Sequence, residues 1–266
     1  MKTAVPEVNL DPLDAAIEQA TELLLKFCVP LYQLDRNGRP LLNGTGFFVR
    51  AGKSSFLVSA AHVLDTAASH GLFFYVEPGT IRHLSGHLIR SQGEGNRDSD
   101  LIDVGVLQLS EDSVPPYPNV DKVPMDISYL RAQYRPRTAK DYVFIGFPAT
   151  KCKVSGANRE VLASPYAFRN EPLDEADYEA QGLHPDTHIA LKLNVRKGFG
   201  LGGKPQHFPI PQGMSGSPIV VLYDREGPND ERVFPVVGVA TTYRKTQRVV
   251  FGTDIGYVID AIENAV

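Results

Sequence analysis

Ser215 lies inside the octapeptide PQGMSGSP, residues 211–218, with Gly213 two positions before it and Gly216 directly after. A serine that attacks a carbonyl needs backbone that turns sharply and presents amide N–H groups to the substrate, and flanking glycines allow that close approach. Gly, Ser and Pro are also turn formers, so the same octapeptide read alone describes a surface turn. Upstream, Phe56-Leu57-Val58-Ser59-Ala60-Ala61-His62-Val63-Leu64 is an apolar run that passes through small residues into a histidine. The small residues let the chain turn tightly and leave His62 at a strand end. Taken alone, a histidine there is more often a hydrogen-bonded structural residue. Leu101-Ile102-Asp103-Val104-Gly105-Val106-Leu107 sets a carboxylate in an apolar run, which is costly unless the carboxylate is partnered. A histidine N–H is a natural partner, and such a pair orients the imidazole as a base for a serine.

The elements that must position these residues are mostly short strands. Asp11-Pro12 opens a helix over about Pro12–Phe27, with an N-cap aspartate, proline at the first helical position and Asp14 in the first turn. Leu13, Ile17, Ala20, Leu24 and Phe27 recur at three- and four-residue spacing, and the helix ends before Pro30. It is expected to pack on the outside of the strands. Those strands are expected at Val29–Leu34, Leu41–Leu42, Gly46–Arg50, Phe56–Ser59, Leu72–Val76, Ile81–Ile89 with a break at Ser85-Gly86, and Leu101–Leu109. Ser91–Asp100 reads as a polar loop and Glu111–Lys140, rich in proline, as a connection between two halves. The second half begins at Tyr142–Phe147. It continues with Val161–Phe168, a short acidic helix over Leu173–Gln181, His188–Val195, Ile219–Tyr223, Val233–Thr242 and Val249–Thr253, and closes on a helix over Ile255–Ala265. No internal repeat is visible.

Composition sets the outer limits. The 266 residues suffice for a substantial core, and 42% hydrophobic with 22% charged residues is ordinary for a globular chain. With 23 glycines and 20 prolines distributed among short runs, an all-β reading leads. A net charge of −4 gives no support for nucleic-acid binding. No apolar run approaches the roughly 20 residues of a membrane span, and the N-terminus lacks a basic start with an apolar centre. Cys28 and Cys152 allow at most one disulfide. Two free thiols are expected instead, and with them a cytoplasmic setting.

Taken together and in this order, the three motifs resemble those of the trypsin-like (chymotrypsin-fold) serine proteases. SAAHVL is similar to that family's histidine motif, DVGVL to its aspartate motif, and GMSGSP to its serine motif in the GxSGSP form of bacterial glutamyl endopeptidase-like members. GTGFFV before the histidine and IGFP after the connection also look like those bacterial members, and the resemblance covers about Val29 to Ile262. It implies two antiparallel β-barrels with a cleft between them, joined here to an extra N-terminal helix and a C-terminal helix. The expected division is residues 1–28 as the helical extension, 29–110 as the first barrel carrying His62 and Asp103, 111–140 as the connection, and 141–266 as the second barrel carrying Ser215 with the last helix.

The resemblance also implies roles. Ser215 is the nucleophile, His62 the general base and acid, and Asp103 the group that holds the imidazole, with the N–H groups of Gly213 and Ser215 as the oxyanion hole. The base of the substrate pocket falls at Pro209 and Ile210. Its opposite wall falls at Val239-Ala240-Thr241-Thr242-Tyr243, with Thr241 also in reach of Asp103. No carboxylate lies between Lys197 and Ser215, so Lys or Arg substrates find no ionic partner there. Where glutamyl endopeptidases carry a wall histidine this chain has Ala240, so small or medium apolar residues are expected, with Arg244 or Lys245 as the groups that would restore an acidic preference. The chain departs from the family in having Ser217 where a second glycine is usual, and in lacking the paired cysteines of secreted animal relatives. It also shows no zymogen-type new N-terminus, so activity is not expected to need that cleavage.

Other signals carry less. GFGLGGK at 198–204 fits phosphate-loop patterns by count, but Pro205 stands where Ser or Thr is needed and no helix can come next. A flexible loop before the serine is the better description. His83 and His87 would share a strand face without a third ligand, so no metal and no cofactor are expected. Asp98 and Asp100 are rival carboxylates placed in the polar loop, and His70, His184, His188 and His207 have no motif around them. The expected function is therefore a serine endopeptidase acting on protein or peptide substrates. The N-terminal helix and the glycine-rich Lys197–Gln206 segment motivate an activating protein partner. The alternative is a catalytically silent trypsin-like peptide-binding module, whose usual mark, a lost triad residue, is missing.

Overall fold

The computed structural model describes residues 12–69, 71–93, 97–117, 121–132, 139, 141–154, 161–193, 198–199, 205–206, 209–222 and 234–266. Helix α1 (Pro12–Leu25) buries Ile17, Ala20 and Leu24, the stripe that its spacing predicts. It packs against both halves. Ile17 and Leu24 share one apolar cluster with Phe47, Val58 and Val106 of the first half and with Val143, Val220 and Val239 of the second. Its last turn is closed by Lys122, whose half-buried ammonium donates to the Leu25 carbonyl and is pushed down in pKa by desolvation. A cation at a helix C-terminus also meets the negative end of the macrodipole.

The first half is one eight-stranded sheet. Strands β1 (Cys28–Leu34), β2 (Pro40–Ala51), β3 (Ser54–Ala60), β4 (Leu72–Glu77), β5 (Thr80–Leu84), β6 (Gly86–Arg90) and β7 (Val104–Leu109) lie in the order β5-β4-β1-β2-β3-β7-β6. β8 (Met125–Asp126) runs parallel to β2. Among the described residues β5 and β6 do not pair, so this sheet is a half-barrel. Its core is built on Val29, Leu31, Phe48, Leu57 and Leu107.

The second half closes. β9 (Tyr142–Gly146), β10 (Cys152–Val154), β11 (Val161–Ala163), β12 (Tyr166–Pro172), β13 (His188–Lys192), β14 (Gly198–Phe199), β15 (Pro205–Gln206), β16 (Pro218–Val221), β17 (Val236–Arg244) and β18 (Val249–Asp254) come next along the chain. Six of them run β13-β18-β17-β16-β9-β12, and β12 pairs back onto β13 to complete a barrel. β14 and β15 extend it beyond β12, while β10 and β11 form a separate hairpin. Phe144 and Phe168 stack inside the barrel, ring centroids 4.8 Å apart. This is the chymotrypsin-like two-barrel arrangement that the motifs imply, with the halves joined along a continuous apolar seam.

Five local expectations change. Leu41–Leu42 and Gly46–Arg50 are one strand, β2. Val161–Phe168 is two short strands, and the Leu173–Gln181 helix is two 3₁₀ turns at Glu175–Asp177 and Glu179–Gln181. His83 and His87 fall on different strands, because Gly86 at φ 153° breaks the run; His83 lies tilted against Phe73 instead, 5.7 Å between ring centroids. His62 does not sit in a turn, because β3 runs directly into helix α2 (Ala61–Ser69). Cys28 and Cys152 are free, and burial pushes the Cys28 thiol up to about 12.

Ser217 is fully buried and its Oγ has no partner among the described residues. It fits because Gly146 opposite has no side chain: a Cβ there would lie 2.0 Å from the Ser217 Oγ. Ser217→Ala removes an unpartnered buried hydroxyl and is expected to raise unfolding free energy by about 1 kcal/mol in a denaturant titration. A loss of stability instead would mean that the hydroxyl is satisfied.

Candidate active site

Strand register brings His62 and Asp103 together. β3 and β7 pair antiparallel with Ala60 opposite Val104, so the residues just beyond the pairing meet at one end of the sheet. The Ala61 N–H donates to the Asp103 carbonyl at 2.9 Å. Asp103 Oδ1 accepts the His62 backbone N–H at 2.9 Å, and Oδ2 lies 2.6 Å from His62 Nδ1. Since an ionised carboxylate only accepts, Nδ1 carries the proton and Nε2 is left as the basic nitrogen. The His62 side chain is 40% exposed and that of Asp103 is 11% exposed, so the carboxylate is shielded while the imidazole reaches the cleft.

Asp103 sits at φ 44°, in the left-handed region, which is why β7 begins at Val104 and not at Leu101. The strain is held by Asp100. Its Oδ1 accepts the N–H groups of Ile102 at 3.2 Å and Asp103 at 3.1 Å. Its Oδ2 accepts from Ser91 Oγ at 2.6 Å and Arg97 at 2.5 Å. Arg97 also donates to Asp65 of α2 at 2.8 Å, which ties the histidine-bearing helix to the aspartate-bearing loop. Asp100 therefore shapes the loop, its carboxylate taken up by Ser91, Arg97 and the loop's own N–H groups. The Asp98 side chain, His70 and His207 lie outside the described residues, as does most of the 197–206 segment.

Ser215 is presented by a tight, well-anchored turn. Met214 N–H bonds the Pro211 carbonyl at 3.1 Å and Gly213 has φ 89°, which together define a type II turn. The Gln212 carbonyl accepts from Ala149 N–H at 2.7 Å. In a trans peptide the Gly213 N–H points the opposite way, leaving it and the Ser215 N–H unspent among the described residues. Met214 is buried in the second barrel's core with Tyr142 and Phe144, an apolar anchor for the turn. Thr45 of β2 fastens the turn to the first half. Its N–H donates to the Ser215 carbonyl at 2.8 Å, and its hydroxyl meets the Gly213 carbonyl at 3.2 Å and the Phe147 N–H at 3.1 Å. Gly216 at φ 91° has no room for a Cβ, which would lie 2.0 Å from the Thr45 carbonyl oxygen.

Ser215 and His62 line one cavity of about 440 Å³. The Ser215 hydroxyl donates to the Thr241 carbonyl at 2.9 Å, not to His62. The Thr241 hydroxyl lies 3.4 Å from the Phe251 carbonyl oxygen, so it does not reach Asp103 as the sequence suggested. Of the expected pocket residues, Ile210, Ala240, Thr241, Thr242 and Tyr243 line the cavity, whereas Pro209 and Val239 are buried and are not among its lining. Phe144, Met214, Val250 and Lys245 also line it, with Pro211, Gln212 and Gly213 of the serine turn. Arg244 is turned elsewhere, donating to the Gln181 carbonyl at 2.8 Å and lying 4.7 Å over the Phe251 ring. Sequence reasoning gave no role to Thr45, Met214 or Phe144. GTGFFV contains the first, but nothing local to it says that its partners lie some 170 residues away.

No protein-family model matches the chain, and no curated protein matches it. Among solved structures it is similar to the scabies mite inactivated protease paralogue S-I1, at 14% identity and TM-score 0.56, covering 94% of this chain and 96% of that one. At that identity the likeness carries the fold: a chymotrypsin-type, trypsin-like β architecture. Among the described residues no group of His, Cys, Asp or Glu could hold a metal ion, and no helix is long and apolar enough to cross a membrane.

Proposed function

We propose that this chain is a serine endopeptidase that cleaves peptide bonds through Ser215, His62 and Asp103 by way of an acyl-enzyme. The observation that carries the reading is the 2.6 Å contact between His62 Nδ1 and Asp103 Oδ2 at the edge of the cavity that Ser215 lines. In the reaction Ser215 Oγ leaves the Thr241 carbonyl by rotation about χ1 and attacks the scissile carbonyl carbon while His62 Nε2 takes its proton. The new oxyanion accepts from the Gly213 and Ser215 N–H groups. Collapse expels the amine, which takes the proton from His62, and water then releases the acyl group by the same steps in reverse. The GxSGSP form supports a place beside the bacterial glutamyl endopeptidase-like members, and the two free thiols support a cytoplasmic setting. An activating protein partner is part of the proposal, motivated by the N-terminal helix and the glycine-rich sequence of Lys197–Gln206.

The cavity supports a small or medium apolar residue before the cleaved bond. Phe144, Val250 and Ala240 supply apolar walls, and among the described lining residues the fixed charge is the cation of Lys245. A substrate-library profile is expected to favour such residues. Dominance of Lys or Arg would overturn the pocket argument, and dominance of Glu would give Lys245 the deciding role.

The second reading is the silent peptide-binding module. It is favoured by the Ser215 hydroxyl bonding Thr241 and not His62, and by the similar mite protein being named as inactivated. A fluorophosphonate probe separates the two. Covalent labelling at Ser215, lost in Ser215→Ala, supports the peptidase. Absence of labelling with peptide binding retained, with and without candidate partners, supports the silent module.

A further inference from the structure

Three consecutive carbonyls of the loop that carries Asp103 each receive a donor, and two of those donors come from the other half of the molecule. Asp103 takes the Ala61 N–H within the first half. Ile102 takes the Thr253 hydroxyl, and Leu101 takes His188 Nε2 at 3.0 Å. His188 and Thr253 are cross-strand partners on β13 and β18, so one rung of the closed barrel reaches two adjacent peptide groups of the half-barrel. Both side chains are buried, at 4% and 0% exposure, so each donor is committed to this contact. The Leu101 carbonyl can only accept, hence Nε2 of His188 carries a proton. Nδ1 is occupied locally, 3.2 Å from the His184 N–H and 2.6 Å from the Thr187 hydroxyl.

The Asp103 backbone is left-handed at φ 44°, a conformation that a non-glycine residue keeps only when its surroundings over-determine it. Asp100 fixes the loop's N–H groups from within the first half, but the Leu101 and Ile102 carbonyls are fixed from the second. We propose that His188, with Thr253 beside it, is a positioning residue for the reaction. It holds the Leu101–Asp103 loop so that the Asp103 carboxylate meets His62, and thereby couples the pair in the half-barrel to the barrel that bears Ser215. This rests on the peptidase reading for its consequence in catalysis. The geometric claim, that His188 sets the His62–Asp103 contact, stands apart from turnover.

Two substitutions divide the long-range role of His188 from its local one. Gln places an N–H donor where Nε2 stands and keeps the reach to Leu101. Asn places its amide where Nδ1 stands, keeping the contacts to His184 and Thr187 but not the reach. The readouts on the full chain are the far-downfield proton resonance of the His62 Nδ1–H bonded to Asp103, and kcat and KM or the rate of fluorophosphonate labelling. His188→Gln is expected to keep the resonance and most of the rate. His188→Asn is expected to lose or broaden the resonance and to slow kcat or labelling by about ten- to a hundredfold with KM little changed, the scale of a small misplacement of a catalytic group. Thr253→Val, which keeps volume and removes the second donor, is expected to act in the same direction and carries the test if His188→Asn does not fold. An unchanged resonance in both His188→Asn and Thr253→Val overturns the proposal, as does a Gln variant that behaves worse than the Asn one. If the wild-type chain shows the resonance but neither labels nor turns over, the peptidase reading fails while the resonance arm still decides the role of His188.

Discussion

Ser215→Ala is expected to reduce peptide hydrolysis to the assay background, a fall of roughly six orders of magnitude in kcat, with thermal unfolding unchanged. The size reflects the chemistry: the acyl-enzyme route disappears with its oxygen, and only binding and the two N–H donors remain. Stability is expected to hold, because the hydroxyl makes one hydrogen bond, to the Thr241 carbonyl, while the turn is held by backbone bonds through Thr45, Ala149 and Ala240. His62→Ala is expected to cost nearly as much, and the double variant no more than either alone, since the residues act on one proton transfer. Full activity in the Ser215→Ala protein would refute the assignment.

Asp103→Asn is expected to lower kcat by about 10⁴ while leaving the site folded. The direction is set by its two oxygens. Oδ1 accepts the His62 backbone N–H, so the amide oxygen of Asn takes that position. The amide N–H₂ then faces His62 Nδ1, which must accept, and the imidazole proton moves to Nε2. A histidine protonated at Nε2 cannot take the serine proton. Asp100→Asn is the control. Its Oδ1 role toward Ile102 and Asp103 survives in the amide, but the N–H₂ at the Oδ2 position faces the Ser91 and Arg97 donors and cannot accept from them, so a loss of stability is expected with a fall in kcat well short of that in Asp103→Asn. If Asp100→Asn were the more damaging change, the carboxylate assignment would be reversed.

The site's residues differ in how plainly the sequence marks them. His62 and Asp103 are readable because each combines a titratable side chain with an apolar strand run, a pairing that burial penalises without a partner. The helix under His62 is not, since small residues are compatible with both a turn and a helix start, and the packing of Val63 and Leu64 into the first half's core decides between them. Asp100 looks like an ordinary loop carboxylate because its partners are backbone amides two and three residues on, bonds that leave no mark in residue type. The pocket wall on β17 is placed by its distance from the serine. Pro209 and Arg244 are misjudged, because which way a side chain turns depends on neighbours from other strands.

Residue order alone specifies what is local or periodic: an all-β chain of short strands, a helix at each end, glycines where Gly213 and Gly216 need positive φ, and three chemistry-bearing residues in a recognisable order. Closure and register belong to the folded chain. They make the second sheet a barrel and leave the first a half-barrel, because among the described strands only β12 and β13 return to each other. They lay α1 across both halves, with Ile17 and Leu24 in the apolar cluster that the two share. They also place Thr45 under the serine turn and His188 and Thr253 under the Asp103 loop, contacts between residues some 90 to 170 positions apart. Such pairings cost chain entropy that no local pattern records, and they are selected by burial of the whole set at once.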